Sequence, residues 1–439
     1  MADVAPEMLD TLQREAFSYF VHEANPRNGL VADKTQRGSP ASIAAVGLAL
    51  SCYPVGVERG FMTRADAIVR VLSTLRFFHG SVQGIDADAT GYKGFYYHFL
   101  DMEEGRRVWQ CELSTVDTAF LLAGMLTAAA YFSGDTAAER EIRERADALY
   151  LRVDWTWARN DGLTVTQGWK PESGFLPFCW EGYNEALFLY LLGLGSPTFP
   201  LSAESYTAWA STYEWRTVYG YSYLHSGPMF THQISHLWVD FRSIQDEYMR
   251  GKGIDYFENS RRATLIQQQY AVANPGQYAA YGAECWGITA SDGPGPAECI
   301  IDGRKRRFFD YLARGVPDGP DDGSIAPWAA VASLPFAPEV VARTLQYFET
   351  LKLRTDPYGF KATFNHTVKA GSATVPCWVS PFHLGLNQGP IVLMIENHRT
   401  GMLWRLMKGC PYWIAGLRRA GFTGAWLDTP PNSQRLGSS

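Results

Sequence analysis

Carboxylates set among aromatic rings, where a loop runs into an apolar helix, are the residues of this chain best suited to chemistry. The stretch from Phe95 to Gly124, FYYHFLDMEEGRRVWQCELSTVDTAFLLAG, contains one such place. Its first half is aromatic, polar and too irregular for a helix. From Ser114 onward Val116, Ala119, Phe120 and Ala123 recur at helical spacing, with Ser114 or Thr115 as the cap. Glu112 and Asp117 therefore flank a helix N-terminus, whose partial positive charge favours anions. Acids and flat rings around one entrance suit a neutral, polar, flat-sided ligand, of which a sugar is the natural example. A second entrance of this kind, GWKPESGFLPFCWEGYN leading into EALFLYLLGLG, supplies Trp180, Glu181, Tyr183 and Glu185.

Cleaving a glycosidic bond takes two carboxyl groups flanking it. One must be protonated, to give its proton to the leaving oxygen. The other must be ionised, as nucleophile or as base for a water. Burial against rings raises the pKa of the first, while hydrogen bonds and nearby cations hold the second ionised. Glu112, beside Trp109 and Cys111, and Glu185, after Trp180 and Tyr183, form the best pair. Asp117 and Asp292 complete the candidate catalytic set. Asp101, Trp109, Trp180, Glu181, Tyr183, His232, Trp286 and Gln388, each near a loop–helix junction, are the candidate substrate-binding residues. Asp240, Asp321, Asp322 and Glu396 occupy comparable junctions and are expected on the same cleft. Trp169 and Trp378 also fall in loops, where stacking on sugar rings explains them better than core packing.

Structural roles compete at several of these positions. Glu185 could serve as capping partner for a residue near Gly182, Asp117 could simply complement the helix dipole, and Asp101 could pair with Arg106 or Arg107. Asp292, in SDGPGP, could close an Asx-turn, and Asp321-Asp322-Gly323 has the look of a turn and N-cap. Glu258 with Arg261 and Arg262 reads as structural. His232 and His236 have the i,i+4 spacing of metal ligands, but HQISH lacks the Glu that follows the first His in zinc proteases. They read instead as hydrogen-bonded pocket or core histidines, with Asp240 as a partner. No metal or cofactor is expected.

Helices must position these groups. Met8–His22 places Leu9, Leu12, Phe17 and Phe20 on one face. Ser42 opens a small-residue helix, and Thr63 caps another that stops near Gly80. Thr136 to Arg159 reads as an exposed helix with i,i+4 charge pairs. THQISHLWVDF, GIDYFENSRRATLIQQQYAVAN, DDGSIAPWAAVASLPF and APEVVARTLQYFETL continue the series, and PIVLMIENHRTGMLWRLMKG closes it with Pro390 in its first turn. Strand signals are sparse, with short β-like pieces in GYKGFYYHFLD. About a dozen helices, apolar all round alternating with amphipathic, predict two concentric rings: an all-α (α/α)6 barrel with long loops on the active-site face. No linker divides it, so residues 1–426 are expected to form one catalytic domain and 427–439 a disordered tail.

Composition narrows the partners. Of 439 residues, 46% are hydrophobic and 14% aromatic, and the net charge is −6. An acidic chain argues against nucleic acid or an anionic membrane as partner, and no run approaches the roughly 18 apolar residues of a membrane helix. The 7 cysteines are scattered, with no CxxC pair, and read as buried free thiols. Without a basic n-region or apolar h-region at the N-terminus, the expectation is a soluble cytoplasmic chain, with the periplasm as the alternative if a signal has been removed.

At these residues the sequence resembles a known family. SIAAVGLALSCYPVGVERGFMTRADAIVRVLSTLRFF, GFYYHFLDMEEGRRVWQCELSTVDTAFLLAG, YNEALFLYLLGLGSPTFP, FTHQISHLWVDF with DEYMRGKGIDYFENSRRAT, WGITASDGP, DDGSIAPWAAVASLPFAPE and NQGPIVLMIENHRTG are similar to motifs of the bacterial glycoamylase-like family. That family includes endo-β-1,2-glucanases and the C-terminal domain of cyclic β-1,2-glucan synthases. The resemblance implies an (α/α)6 toroid and hydrolysis of β-linked glucans, particularly β-1,2-glucan or its oligosaccharides. It also implies that the Glu of ELSTVDT, Glu112, and the Glu of YNEA, Glu185, are central acids. Rival readings on the same barrel are a transglycosylase on β-1,2-glucan, a non-catalytic glucan-binding protein, and a sugar epimerase or isomerase. The last would work through His98, His232, His236 or His383.

Overall fold

A computed structural model of the chain describes residues 4–369 and 377–428. The tail expected after Trp426 lies, from residue 429, outside the described residues. In chain order the helices are α1 Pro6–His22, α2 Ile43–Glu58, α3 Arg64–Gly80, α4 Thr115–Tyr131, α5 Ala137–Leu151, α6 Leu187–Gly195, α7 Ala203–Ala210, α8 Glu247–Lys252, α9 Tyr256–Ala273, α10 Pro327–Ala332, α11 Pro338–Thr350, α12 Gly385–Arg399, α13 Met402–Lys408, α14 Pro411–Arg419 and α15 Ala425–Asp428. They build an (α/α)6 toroid. Inner helices α2, α4, α6, α10 and α12 are apolar nearly all round and buried along almost their whole length. Outer helices are amphipathic: α5 buries Ile142, Ala146, Leu149 and Tyr150 and turns its charges outward, where Arg145 pairs with Glu141 at 2.6 Å.

Small residues let the inner ring close. A Cβ on Gly47 of α2 would lie 2.2 Å from the Phe120 carbonyl oxygen, and one on Gly124 of α4 would lie 2.0 Å from the Gly47 carbonyl oxygen. The two helices thus meet backbone to backbone, which brings their N-terminal ends, and the loops feeding them, to one place.

Three elements differ from their sequence patterns. The segment read as THQISHLWVDF is two 3-10 turns, Met229–His232 and Ile234–Leu237. Side chains from elsewhere take up its carbonyls: Trp404 Nε1 donates to His236 O at 2.7 Å, and Asn397 Nδ2 to Leu237 O at 3.0 Å. A helix is not needed to satisfy that backbone. The expected helix to Arg159 ends at Leu151, and only Trp157–Arg159 resumes as a 3-10 turn. The final helix starts earlier than Pro390, at Gly385, and breaks at Gly401, whose φ of 67° is left-handed, before α13 begins.

Short strands are more numerous than the sequence indicates. Gly91–Tyr92, Phe95–Tyr97, Leu113–Ser114, Gly168–Lys170 and Gly174–Phe175 form one five-stranded antiparallel sheet over the mouth of the toroid. Strands this short leave no alternating run to read. All seven cysteines are free, but Cys179 is half-buried and Cys299 exposed rather than buried. Among the described residues no helix is long and apolar enough to cross a membrane.

Candidate active site

The chain places Glu112 by pairing the strand that follows it on both sides. Leu113 and Ser114 pair with Tyr97 and Tyr96 on one edge and with Trp169 and Gly168 on the other. Gly168 permits the approach, since a Cβ there would sit 3.0 Å from Glu112 Cγ. His98, in the bend between the strands Phe95–Tyr97 and Phe99–Leu100, is fixed through its backbone: its N–H donates to Glu112 O at 3.0 Å, and its carbonyl accepts from Ile43 N at the start of α2. Its ring lies flat on Phe99, with centroids 3.9 Å apart and planes 12° apart. So held, the imidazole points one nitrogen at each of two acids. Nδ1 is 2.9 Å from Glu112 Oε1, and Nε2 is 3.6 Å from Asp117 Oδ2. Asp117 also completes the cap of α4, where Ser114 Oγ accepts from the Asp117 N–H and donates to Oδ2 at 2.6 Å.

Glu185 enters from the second loop. It precedes α6, which begins at Leu187, and the side chain of Asn184 accepts from the Ala186 N–H at 3.0 Å. This contact closes a turn leading into α6, whose N-cap Ala186 has no side-chain cap, so the capping role weighed for Glu185 is not filled. Trp180 is pinned beside it, with Nε1 donating to Thr115 Oγ1 at 3.0 Å. Asp292 comes from the far side of the toroid, where Ser380 Oγ donates to it at 3.1 Å. Glu112, Asp117, Glu185, Asp292, Trp109 and Trp180 all line one cleft of about 530 Å³, together with Asp33, Lys34, His98, Gln167, Asp310, Tyr311 and Asn387.

Electrostatics sorts the two glutamates. Around this cleft stand Asp33, Glu112, Asp117, Glu185, Asp292 and Asp310, against Lys34 and His98 as its cations. Burial pushes the Glu185 carboxyl up to about 7, and Asp117 adds to the rise. Burial would also raise Glu112, but the hydrogen bond and charge of His98, with Lys170 further off, outweigh it and hold Glu112 below 4.5. Burial opposes charge on His98 as well, yet Asp117, Glu112 and Asp33 lift it from 6.5 to about 9. Asp33 is raised, by burial first and then by Asp292 and Asp117. One cleft thus holds a protonatable glutamic acid and a glutamate kept ionised by an imidazolium.

The remaining sequence candidates lie outside the cleft. Asp101 does not pair with Arg106 or Arg107; its carboxylate accepts from the backbone N–H groups of Glu103, Glu104 and Arg106. Glu181 is exposed and accepts from Thr164 Oγ1 at 3.1 Å. Tyr183 packs edge-on to His232 at 5.2 Å, within a buried cluster that includes Tyr213 and Tyr256. His232 is buried against the Ser226 carbonyl at 3.1 Å, and burial lowers it to about 4. Trp286 is fully buried. Gln388 donates to Phe360 O at 3.3 Å, while its neighbour Asn387, about 100° round the helix, lines the cleft. Asp240 pairs with Arg242 and Lys408, Asp322 with Arg314, and Glu396 with Arg59. Asp321 accepts from Tyr270 and Tyr281, and Trp169 packs against Tyr92 and Trp157. Glu258 binds Arg261 and Arg262, as its spacing suggested.

Pattern reading did not select Asp33, Gln167, Asp310, Tyr311 or Asn387, and weighed His98 only as a proton-abstracting group. His98 carries the one legible signal: it sits in the same stretch as Glu112, between the aromatic neighbours Tyr97 and Phe99. Among the described residues no group of His, Cys, Asp and Glu is arranged to hold a metal ion.

Residues 177–411 match the Glycoamylase family model, described as "Putative glucoamylase". The exo beta-1,2-glucooligosaccharide sophorohydrolase (non-reducing end) of Parabacteroides distasonis is 30% identical over 94% of this chain, and the chain spans 57% of that relative's length. A solved "putative glucoamylase" from Bacteroides uniformis superposes with a TM-score of 0.85 at 32% identity, over 98% of this chain and 100% of that one. The endo-beta-1,2-glucanase from Chitinophaga pinensis, in complex with sophorotriose and glucose, superposes at 0.83 with 27% identity, over 97% of this chain and 100% of that one. A family match over residues 177–411, more than half of the chain and spanning both Glu185 and Asp292, makes this chain a member of the glycoamylase family.

Proposed function

We propose that this protein is a glycoside hydrolase acting on β-1,2-linked glucan or its oligosaccharides, through a single (α/α)6 catalytic domain. The observation that carries the proposal is the split between two carboxyl groups of one cleft. Glu185, raised to about 7, retains a proton near neutral pH, while Glu112 is held ionised by His98. Glu185 then protonates the leaving glycosidic oxygen, and Glu112 serves as the ionised partner, nucleophile or base for a water. Asp117 steadies His98 from its far nitrogen, and Asp292 faces the sugar from the opposite wall. Trp180 and Trp109 offer ring faces to glucose units. The linkage rests on the named activities of the Parabacteroides and Chitinophaga relatives.

The epimerase reading needs a histidine able to accept a proton in the cleft. His98, raised to about 9, is already protonated at neutral pH, and His232 and His236 are buried away from the cleft. Incubating the protein with linear β-1,2-glucan and sophoro-oligosaccharides, and resolving the products by chromatography, tests the proposal. Absence of shorter products from all of these substrates overturns it.

A further inference from the structure

A second groove, of about 770 Å³, opens beside the cleft. It is walled by the last residue of α1 and the turn after it (His22 to Arg27), the loop from Lys34 to Pro40 and the turn from Asp101 to Trp109. Lys34 and Trp109 line both cavities, so the two are immediate neighbours. We propose that this groove is a further sugar-binding segment, taking the continuation of the same glucan chain beyond the units held between Glu112 and Glu185. This inference rests on the glycoside hydrolase reading given above.

Three observations support it. First, the groove is preformed. Asn25 Nδ2 donates to Met102 O at 2.7 Å, Asn28 Nδ2 reaches Met102 O and Glu103 O at 3.1 Å each, and Arg27 pairs with Glu103. The Asp101 carboxylate, taking three backbone N–H groups, locks the turn that forms the opposite wall. Walls tied before a ligand arrives need no ordering when it binds. Second, an exposed ring marks the junction. Trp109 is 67% exposed, and it and Gln110 both adopt left-handed backbone, with φ of 56° and 48°. Left-handed non-glycine residues are costly and cluster at functional sites; here they present an indole face to solvent where the cavities meet. Third, the junction connects to the reactive groups. Trp109 packs edge-on against Phe99 at 5.2 Å, and Phe99 stacks under His98, which holds Glu112. The groove supplies what a hydroxyl-rich chain needs: an aromatic platform at its inner end and polar groups from Gln36, Arg37 and Ser39 along its wall.

The test is calorimetric titration of the full chain carrying Glu185→Gln, which slows cleavage, with a β-1,2-linked trisaccharide and octasaccharide, the sugars being checked for cleavage by chromatography after each run. The octasaccharide is expected to bind about tenfold tighter, one good stacking platform and its neighbouring contacts being of that order. Adding Gln36→Trp, which fills the groove from an exposed loop position, or Trp109→Ala should bring the two affinities to within about twofold. Thermal unfolding checks that each variant is folded. Equal affinity for both lengths in the Glu185→Gln protein, or a length preference that survives both groove substitutions, overturns the inference while leaving the hydrolase reading intact. Failure of either sugar to bind, with no hydrolysis by the unmodified protein, overturns the hydrolase reading and this inference with it.

Discussion

Replacing His98 tests the link between geometry and protonation directly. In the native protein its imidazolium donates to Glu112 at 2.9 Å, and the two side chains are 26% and 28% exposed, so the bond is only partly screened by water. Hydrogen bonds to charged groups contribute about 1.5–3 kcal/mol, and one pKa unit corresponds to about 1.4 kcal/mol. His98→Leu, which removes both donor and charge while burial of the carboxyl persists, should therefore raise the Glu112 pKa. His98→Asn, which keeps a donor without charge, should give a smaller rise. Since Glu112 must be ionised to act, the rate falls as pH drops through its pKa, and a raised pKa carries the acidic limb upward. The alkaline limb should stay near 7, because burial and Asp117, not His98, set Glu185. The assay is kcat/KM on a sophoro-oligosaccharide as a function of pH. An acidic limb unmoved in His98→Leu, or an alkaline limb displaced as far as the acidic one, would mean that His98 does not hold Glu112 ionised.

Other expectations follow from the same contacts. Glu185→Gln should lower kcat by about 10²–10⁴-fold and abolish the alkaline limb near 7 in the pH–rate profile of the residual activity. The folded pKa of His98 lies above its unfolded value, about 9 against 6.5, so its contribution to stability is complete below 6.5 and lost as pH rises through about 9; denaturant midpoints over that window should fall less in His98→Leu than in the native chain. Asp322→Ala should cost about 3–5 kcal/mol of stability by leaving a buried, uncompensated Arg314, with thermal unfolding affected and KM of the folded protein unchanged. Gly124→Ala, which would force a methyl against the Gly47 carbonyl, should destabilise by about 1–3 kcal/mol in a denaturant titration.

Architecture was legible because it is written in local periodicity. Uninterrupted apolar runs such as IAAVGLAL and LFLYLLGL can only be buried on all sides, and their alternation with amphipathic helices such as α5 is the signature of two rings. The same logic located Glu112 and Asp117, since the cap of α4 is a matter of adjacent residues. It failed where long-range partners decide conformation. The two 3-10 turns around His232 exist because Asn397 and Trp404, distant in the chain, take up carbonyls that a helix would have used.

Residue types and their order thus specify the toroid, its mouth and the two glutamates that loops carry to it. Which acids face one another, and in which charge state, depended on packing. Every loop–helix junction looks equivalent along the chain, yet Asp322 meets Arg314, Asp240 meets Lys408, and Asp101 folds onto its own backbone, while Asp33, unremarkable in a polar loop, turns into the cleft. A pKa depends on burial and on charges within a few ångströms, and neither distance nor burial is encoded by neighbours in sequence. Glu112 and Glu185 come from the same residue type and comparable junctions. Only the folded chain, by putting His98 against the first and desolvating the second in the cleft wall, makes one an anion and the other an acid.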